Sequence, residues 1–336
     1  MRFRRAIWLP AAVLVLWHLG FLCAGFLAPY APAEQDRDLP YTPPSHFEFR
    51  GPQGFHFRPY ACEADAAAAG NQQSSCYPVH FLVHGWQYSF AGLRSDLHLF
   101  GVPAPRRISI LGTDAYGRDM LSRLLFGGRI SLAIGLLATL VSLVVAMLIG
   151  TLAGYHGKWT DELLTGGAEL FLVVPWLYFL LALRAMLPLH LSASATFLLV
   201  VGVIGSLGWA RPMRLIRGVV LSARERNFVL AARGFGAPDV YLLRRHIAPM
   251  TGGVLLTQAA LLIPQFVAAE AALSFFGLGV SEPVPSWGNM LAVLQQYSVL
   301  VSYWWMLTPA IALVVTSVTY CWLAERLQRW LKSSSI

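Results

Sequence analysis

Few residues in this chain are of a type and in a place to do chemistry. Glu169, Arg184 and Glu270 are ionisable side chains within otherwise apolar, charge-free stretches. A charge in hydrocarbon is costly, so such a residue marks a solute or ion path, or braces the structure. Glu169 and Arg184 lie near the two ends of the apolar run 163–187, where they can anchor at the interface. Glu270 stands at the outer end of the run 246–269 and fits either role, solute contact or loop brace.

Other chemistries fail on spacing. His80 and His84 suggest a metal, but an i, i+4 pair on a strand stands about 13 Å apart, too far for one ion. No metal site is expected. Asp114 and Asp119 could form an acid–base couple, yet helix capping and an i, i+4 pair of Asp114 with Arg118 account for them more simply. A membrane-embedded hydrolase needs a His-Glu-x-x-His or Ser/His set, and His18 is the one histidine deep in a span. A Walker A loop is absent, the nearest string being residues 154–159, so no catalytic residue is assigned. Cys62 and Cys76 fall in an outer segment. A 15-residue disulfide loop there would contribute about 3 kcal/mol, but spacing is equally compatible with two free thiols.

The elements holding these residues are membrane spans. Of 336 residues 56% are apolar and only 12% charged, about half the charged share of a soluble domain. Mean hydropathy is +0.56, and 11 Trp, 19 Phe and 12 Tyr exclude a disordered chain. About 20 apolar residues cross a bilayer. Runs at 6–33, 130–157, 163–187, 185–210, 246–269 and 304–323 predict six transmembrane helices, an all-α integral membrane fold. Pro175 and Pro264 predict kinks. The first run exceeds the length of a signal-peptide core, so an anchor is expected despite the cleavage-like Ala31-Pro32-Ala33.

Net charge is +8 with pI near 9.6. The excess is not spread as on a nucleic-acid surface; it sits in residues 1–5 (three Arg), in 211–249 (eight Arg against Glu225 and Asp239) and after Ala324. With six spans these share one side, which the positive-inside rule makes the cytoplasm, with both termini inside. Residues 153–162 are a weak, slightly acidic exception. No nucleic-acid partner is expected. The division is an N-terminal helix (1–28), an extracytoplasmic insertion (29–110), a transmembrane domain (111–325) and a cytoplasmic tail (326–336). The insertion reads as a small irregular cap, with strand-like content only at 79–93, and a surface helix is expected to begin within 111–132.

Residues 211–249 are too short for a domain and too basic to be a simple turn. Residues 227–233 favour helix, Gly236-Ala237-Pro238-Asp239 supplies a bend and a new start, 240–247 favours helix again, and Pro249 is expected to end it. This shape suits a projecting knob that docks to another chain. A self-contained secondary carrier would need charge relays or inverted repeats, and neither is visible.

The stretch LAARGFGAPDVYLLRRHIAP (230–249) resembles the cytoplasmic signature of permease subunits of bacterial ATP-binding-cassette importers, with Leu230 in place of the family's Glu and Ala248 in place of Leu. LGTDAYGRDMLSRLLFGGRISL (111–132) and EAALSFFGLGVSEPVPSWGNML (270–291) resemble the dipeptide, oligopeptide and nickel branch, specifically its second, C-type permease. The resemblance implies that Ala231, Ala232, Gly236, Asp239, His246, Ile247 and Pro249 couple to an ATPase. It implies Glu270 and Trp287 on the substrate path or outer gate. The implied partners are a homologous permease, two ATPase subunits that bind the ATP and Mg, and an extracytoplasmic solute-binding protein, in the bacterial inner membrane. This chain would hold no cofactor and carry no catalysis. Peptides are the implied solute, with nickel or another small solute as the alternative.

Overall fold

The computed structural model describes residues 2–51, 54–62, 76–90, 92–103, 106–173, 175–186, 188 and 191–334. The small polar stretch 64–75 and the side chains of His56 and Arg184 lie outside them. The chain is mostly helical and divides into two compact units, one of 1–14, 132–273 and 315–336, the other of 15–131 and 274–314.

Helix α1 (Arg2–Leu22) is followed by one turn, α2 (Ala24–Leu27). The insertion is not irregular, which corrects the purely α-helical expectation. Strands β1 (His46–Gly51), β2 (Gly54–Cys62) and β3 (Cys76–Pro78) form one antiparallel sheet, and β4 (His80–Phe90) with β5 (Leu93–Gly101) forms a second. Cys62 and Cys76 face each other in register and are joined as a disulfide, Cα–Cα 4.1 Å. Glu48 lies beside them as the one metal-ligand-type cluster among the described residues. His84 meets Asp96 across the hairpin at 3.1 Å instead of meeting His80. This unit is packed around Ala61, Val79 and Ile108 under the sheets, and around Met120, Met290, Val299, Trp305 and Met306.

Helix α3 (Met120–His156) starts within 111–132, as the sequence suggested. Asp119 Oδ2 accepts the Ser122 backbone N–H at 2.8 Å and its hydroxyl at 2.6 Å, which caps the first turn. Residues 111–118 are therefore turns, and Asp114 pairs with Arg118 outside any helix. Helices α4 (Lys158–Val173) and α5 (Trp176–Ala185) flank Pro175, so the expected kink is a break, since proline restricts the residue before it and lacks an N–H. Then follow α6 (Ala193–Leu207), α7 (Ala210–Arg224), α8 (Asn227–Gly234), α9 (Asp239–Leu242) and α10 (Gly252–Phe275). After α11 (Trp287–Ala292) and α12 (Tyr297–Ser302), α13 (Thr308–Ser334) closes the chain.

Among the described residues three helical stretches are long and apolar enough to cross a bilayer: Met120–His156, Asp239–Phe275 and Trp304–Lys332. The pair α6 and α7 makes a fourth if counted through its 47° bend, and Ile7–Leu22 is a shorter apolar helix.

Within the first unit α7 is the organiser. Ala210, Met213, Ile216, Val220 and Ala223 recur at helical spacing and are all buried, while Arg211 and Arg214 point away. Glycines let α3 approach closely: a Cβ at Gly150 would fall 2.7 Å from the Met213 carbonyl oxygen, and one at Gly154 2.9 Å from that of Arg217. Around this contact gather Ala146, Ala153, Val229, Leu242 and Ile247.

Candidate functional site

The basic segment between α7 and α10 is built by local rules. Helix α8 ends in a Schellman motif: the Gly236 N–H donates to the Arg233 carbonyl at 2.9 Å and the Ala237 N–H to the Ala232 carbonyl at 3.1 Å. Gly236 takes φ +82°, the left-handed geometry this cap needs. Ala232 and Ala237, the apolar pair that accompanies such a cap, pack onto the core of the unit. The chain then restarts at Pro238, whose carbonyl accepts from the N–H groups of Tyr241 and Leu242.

Pro249 does not end the second helix. Residues Leu243–Ile247 form a wide, π-type turn and Ala248–Thr251 a tight 3₁₀ turn, and the helical path continues from Asp239 to Phe275. The proline has no N–H to donate and its ring crowds the preceding turn, and widening then tightening the helix accommodates both without a break.

The segment is fastened at four points. Val229, Leu242 and Ile247 are fully buried. Tyr155, near the end of α3, donates its hydroxyl to Asp239 and accepts from Arg233 Nη2 at 2.8 Å, and the Arg233 guanidinium lies over the same ring. Arg224 donates to the Gly154 and Tyr155 carbonyls at 3.2 and 3.3 Å, capping the C-terminus of α3. Arg217 grips both carboxylate oxygens of Asp161 on α4. That hydrogen bonding holds the Asp161 carboxyl, in the first turn of α4 ahead of the apolar run 163–187, below its ordinary range. The slightly acidic stretch 153–162 thus meets an arginine of α7.

What remains outward is a set of arginines, Arg226, Arg233, Arg244 and Arg245, with large apolar side chains among them. Phe235 is 93% exposed, Val240 63%, Leu230 and Tyr241 49% each. An open hollow beside them is lined by Pro238, Val240, Tyr241, Arg244 and Arg245. Of the residues singled out from sequence, Ala231, Gly236, Asp239 and Pro249 are on this exposed side. Ala232 and Ile247 face the core, and His246 sits half-buried between Phe228 and Tyr241, ring centroids 5.8 and 5.5 Å away.

Glu270 is completely buried in α10. A cavity of about 220 Å³ in the same unit is lined by Phe171, Leu180, Ile204, Gly208, Leu262, Gln265 and Phe266, without Glu270. In the other unit Trp287 is a core residue: its ring N–H donates to the Leu124 carbonyl at 3.1 Å and its backbone N–H to Ser131 Oγ at 3.1 Å. Ser286 and Asn289 hold it there with a reciprocal capping box.

Sequence reasoning missed a charge cluster in that second unit. Arg118 donates to Asp114 Oδ2 and to Glu282 Oε2, both at 2.7 Å, and Arg123 Nη2 donates to Glu282 Oε1 at 2.7 Å. Two guanidiniums and two carboxylates balance. Burial alone would push the Glu282 carboxyl up, but Arg123 and Arg118 together hold it below the ordinary glutamate value. The signal was an acid placed between two rigid turns, Gly279 to Pro285.

Comparison with known proteins follows the same lines. Residues 146–334 match the family described as binding-protein-dependent transport system inner membrane component. A putative peptide permease protein of Brucella suis biovar 1 is 37% identical over 236 residues, 70% of this chain and 76% of that protein. The oligopeptide transport system permease protein OppC of Haemophilus influenzae is 31% identical over 251 residues, 74% of this chain and 78% of that one. The dipeptide transport system permease protein DppC of Bacillus subtilis is 33% identical over 218 residues, 65% and 66% of the two chains.

Proposed function

This chain belongs to the family of inner membrane components of binding-protein-dependent transport systems, and from that premise we propose how it works: as the permease subunit of an ATP-driven peptide importer whose knob at Gly236 docks on a separate ATPase. The observation that carries the reading is the cluster of Phe235, Val240, Leu230 and Tyr241 standing outward from a rigidly capped, otherwise basic segment. Large exposed apolar side chains on a fastened elbow mark a protein contact. The capped turn fixes their geometry, so a partner that closes on nucleotide moves the whole segment, and the spans attached to it, as one two-state element. Ala231, Asp239 and Pro249 border the contact; Ala232, His246 and Ile247 hold it from behind. Hydrolysis belongs to the partner, which binds the ATP and Mg.

The assembly has four further chains: a homologous permease, two ATPases and an extracytoplasmic solute-binding protein. Peptide as the solute rests on the relatives named peptide, oligopeptide and dipeptide permeases. In the membrane we assign six spans to α1, α3, the broken pair α4 and α5, α6, α10 and α13, with both termini cytoplasmic. Glu270 and Trp287 support the outer side of the path from buried positions. The test is co-purification of the full chain with its ATPase. Gly236→Glu is expected to abolish ATP-driven uptake while membrane insertion and melting stay unchanged, and undiminished uptake by that variant would refute the docking role. Mass spectrometry of what the purified binding protein retains identifies the solute.

A further inference from the structure

The β4–β5 hairpin packs beside α2, the turn that follows the first helix. Its base packs outward: Phe100 and Val102 join Val79, Ile108 and Tyr30, and the Tyr30 hydroxyl accepts the Ile108 N–H at 2.8 Å. Its middle packs inward of that, because the Tyr88 ring lies on Gly25 of α2, where a Cβ would fall 2.2 Å from it. Gly25 precedes Tyr30 on a chain that is leaving α1, so going from base to middle of the hairpin means going back toward the apolar helix. Trp86, on the same stretch, contacts Phe126 in the second turn of α3, ring centroids 5.9 Å apart.

Beyond Tyr88 the strand advances two more residues, about 7 Å. That distance is a little over one helical turn, which brings the tip level with the last turns of α1, where Leu19 and Leu22 are exposed. At the tip Phe90 pairs with Leu93 across a turn made by Gly92 at φ +85°. Phe90 is 43% exposed and Leu93 75%, and the next pair up, Ser89 and Arg94, is polar and exposed.

We propose that this tip is a membrane wedge, with Phe90 and Leu93 inserted among the upper acyl chains of the leaflet on the insertion's side. Arg94 then lies among the headgroup phosphates. The occupant is lipid because the apolar pair continues the exposed leucines of α1 and is followed by the exposed cation Arg94, the order of a residue pair that enters acyl chains under the headgroups. The wedge ties the outer sheets to the bilayer surface independently of any protein partner.

The test uses the full chain in phosphatidylcholine nanodiscs, with Cys23→Ser and Cys321→Ser so that only the disulfide remains. Leu93→Cys carries a polarity-sensitive dye, Ser89→Cys serves as a second probe should that variant fold poorly, and exposed Asp38→Cys is the aqueous control. A blue-shifted Leu93 probe that loses most of its emission to shallow nitroxide lipids and ignores aqueous iodide supports the wedge, with Ser89 showing the same at lesser depth. Iodide quenching of the tip equal to that of Asp38 overturns it. So does shielding that appears only when the solute-binding protein or a second permease chain is added.

Discussion

Gly236 allows the docking idea to be tested without steric damage. An added Cβ at this glycine meets no atom within 4 Å, so the one consequence of Gly236→Ala is torsional. Holding an L-residue in left-handed geometry costs about 1–2 kcal/mol, and that lowers the ratio of capped to uncapped turn by roughly 5- to 30-fold. Gly234, two residues earlier inside α8, is equally open but has no positive φ, so Gly234→Ala carries the same added methyl with no penalty and improves helix propensity by up to about 1 kcal/mol. Gly236→Asn falls between, because asparagine visits this geometry readily. The assay is ATP-driven uptake by the reconstituted complex, with melting followed in parallel. The expected order is Gly234→Ala at the unsubstituted rate, Gly236→Asn reduced, and Gly236→Ala reduced further, by no more than that ratio, all with unchanged melting. Equal rates for the two alanine variants, or a loss that tracks melting, would refute the argument.

Two further outcomes follow from the charge pairs. Asp161→Asn should weaken the attachment of α4 to α7 by about 1–3 kcal/mol, since a partly buried arginine loses a charged acceptor; a lowered melting temperature restored by Arg217→Met in the same chain would identify the pair, and an unshifted single variant would exclude it. For Glu282 the sign is fixed by its depressed carboxyl: fewer protons are bound folded than unfolded, so its stabilising contribution is full above the ordinary value of 4.5 and is lost as pH falls below it. Buried Asp119 works oppositely, because burial raises it to about 6 and its contribution is lost as pH rises from the ordinary aspartate range to that value. Glu282→Gln should therefore lessen the acid-side fall in thermal stability, leaving the part due to Asp161 and the Asp119 slope; an acid-side fall of unchanged size in Glu282→Gln would contradict this assignment.

The parts of the fold that depend on near neighbours were legible in the residues. Asn227 to Gly234, the bend at Gly236 and the restart at Asp239 follow from capping chemistry that spans only a few positions. Strand content at 79–93 showed in its aromatic and branched residues, as β4 confirms, whereas the pairing of β1, β2 and β3 depends on contacts across residues that composition does not relate. Helix α7 was read only as a basic stretch because Arg211, Arg214 and Arg217 dominate its charge and hide the buried stripe of Met213, Ile216 and Val220. The Glu282 cluster joins residues 159 or more positions apart, and the burial of Trp287 was not legible because Leu124 and Ser131, which hold it, are far away in sequence.

The way the backbone passes Pro249 has a mechanical consequence. From Asp239 onward no residue leaves helical geometry until the far end of α10, so Glu270 sits about 45 Å along one shaft from the elbow. A twist applied at Asp239 meets a π-type turn, a 3₁₀ turn and Pro264 before the buried carboxyl, but no residue outside helical geometry, so the elbow and Glu270 belong to one continuous helical path. Between α6 and α7, by contrast, the path leaves the helix at a 47° bend, so those two helices do not form a single shaft.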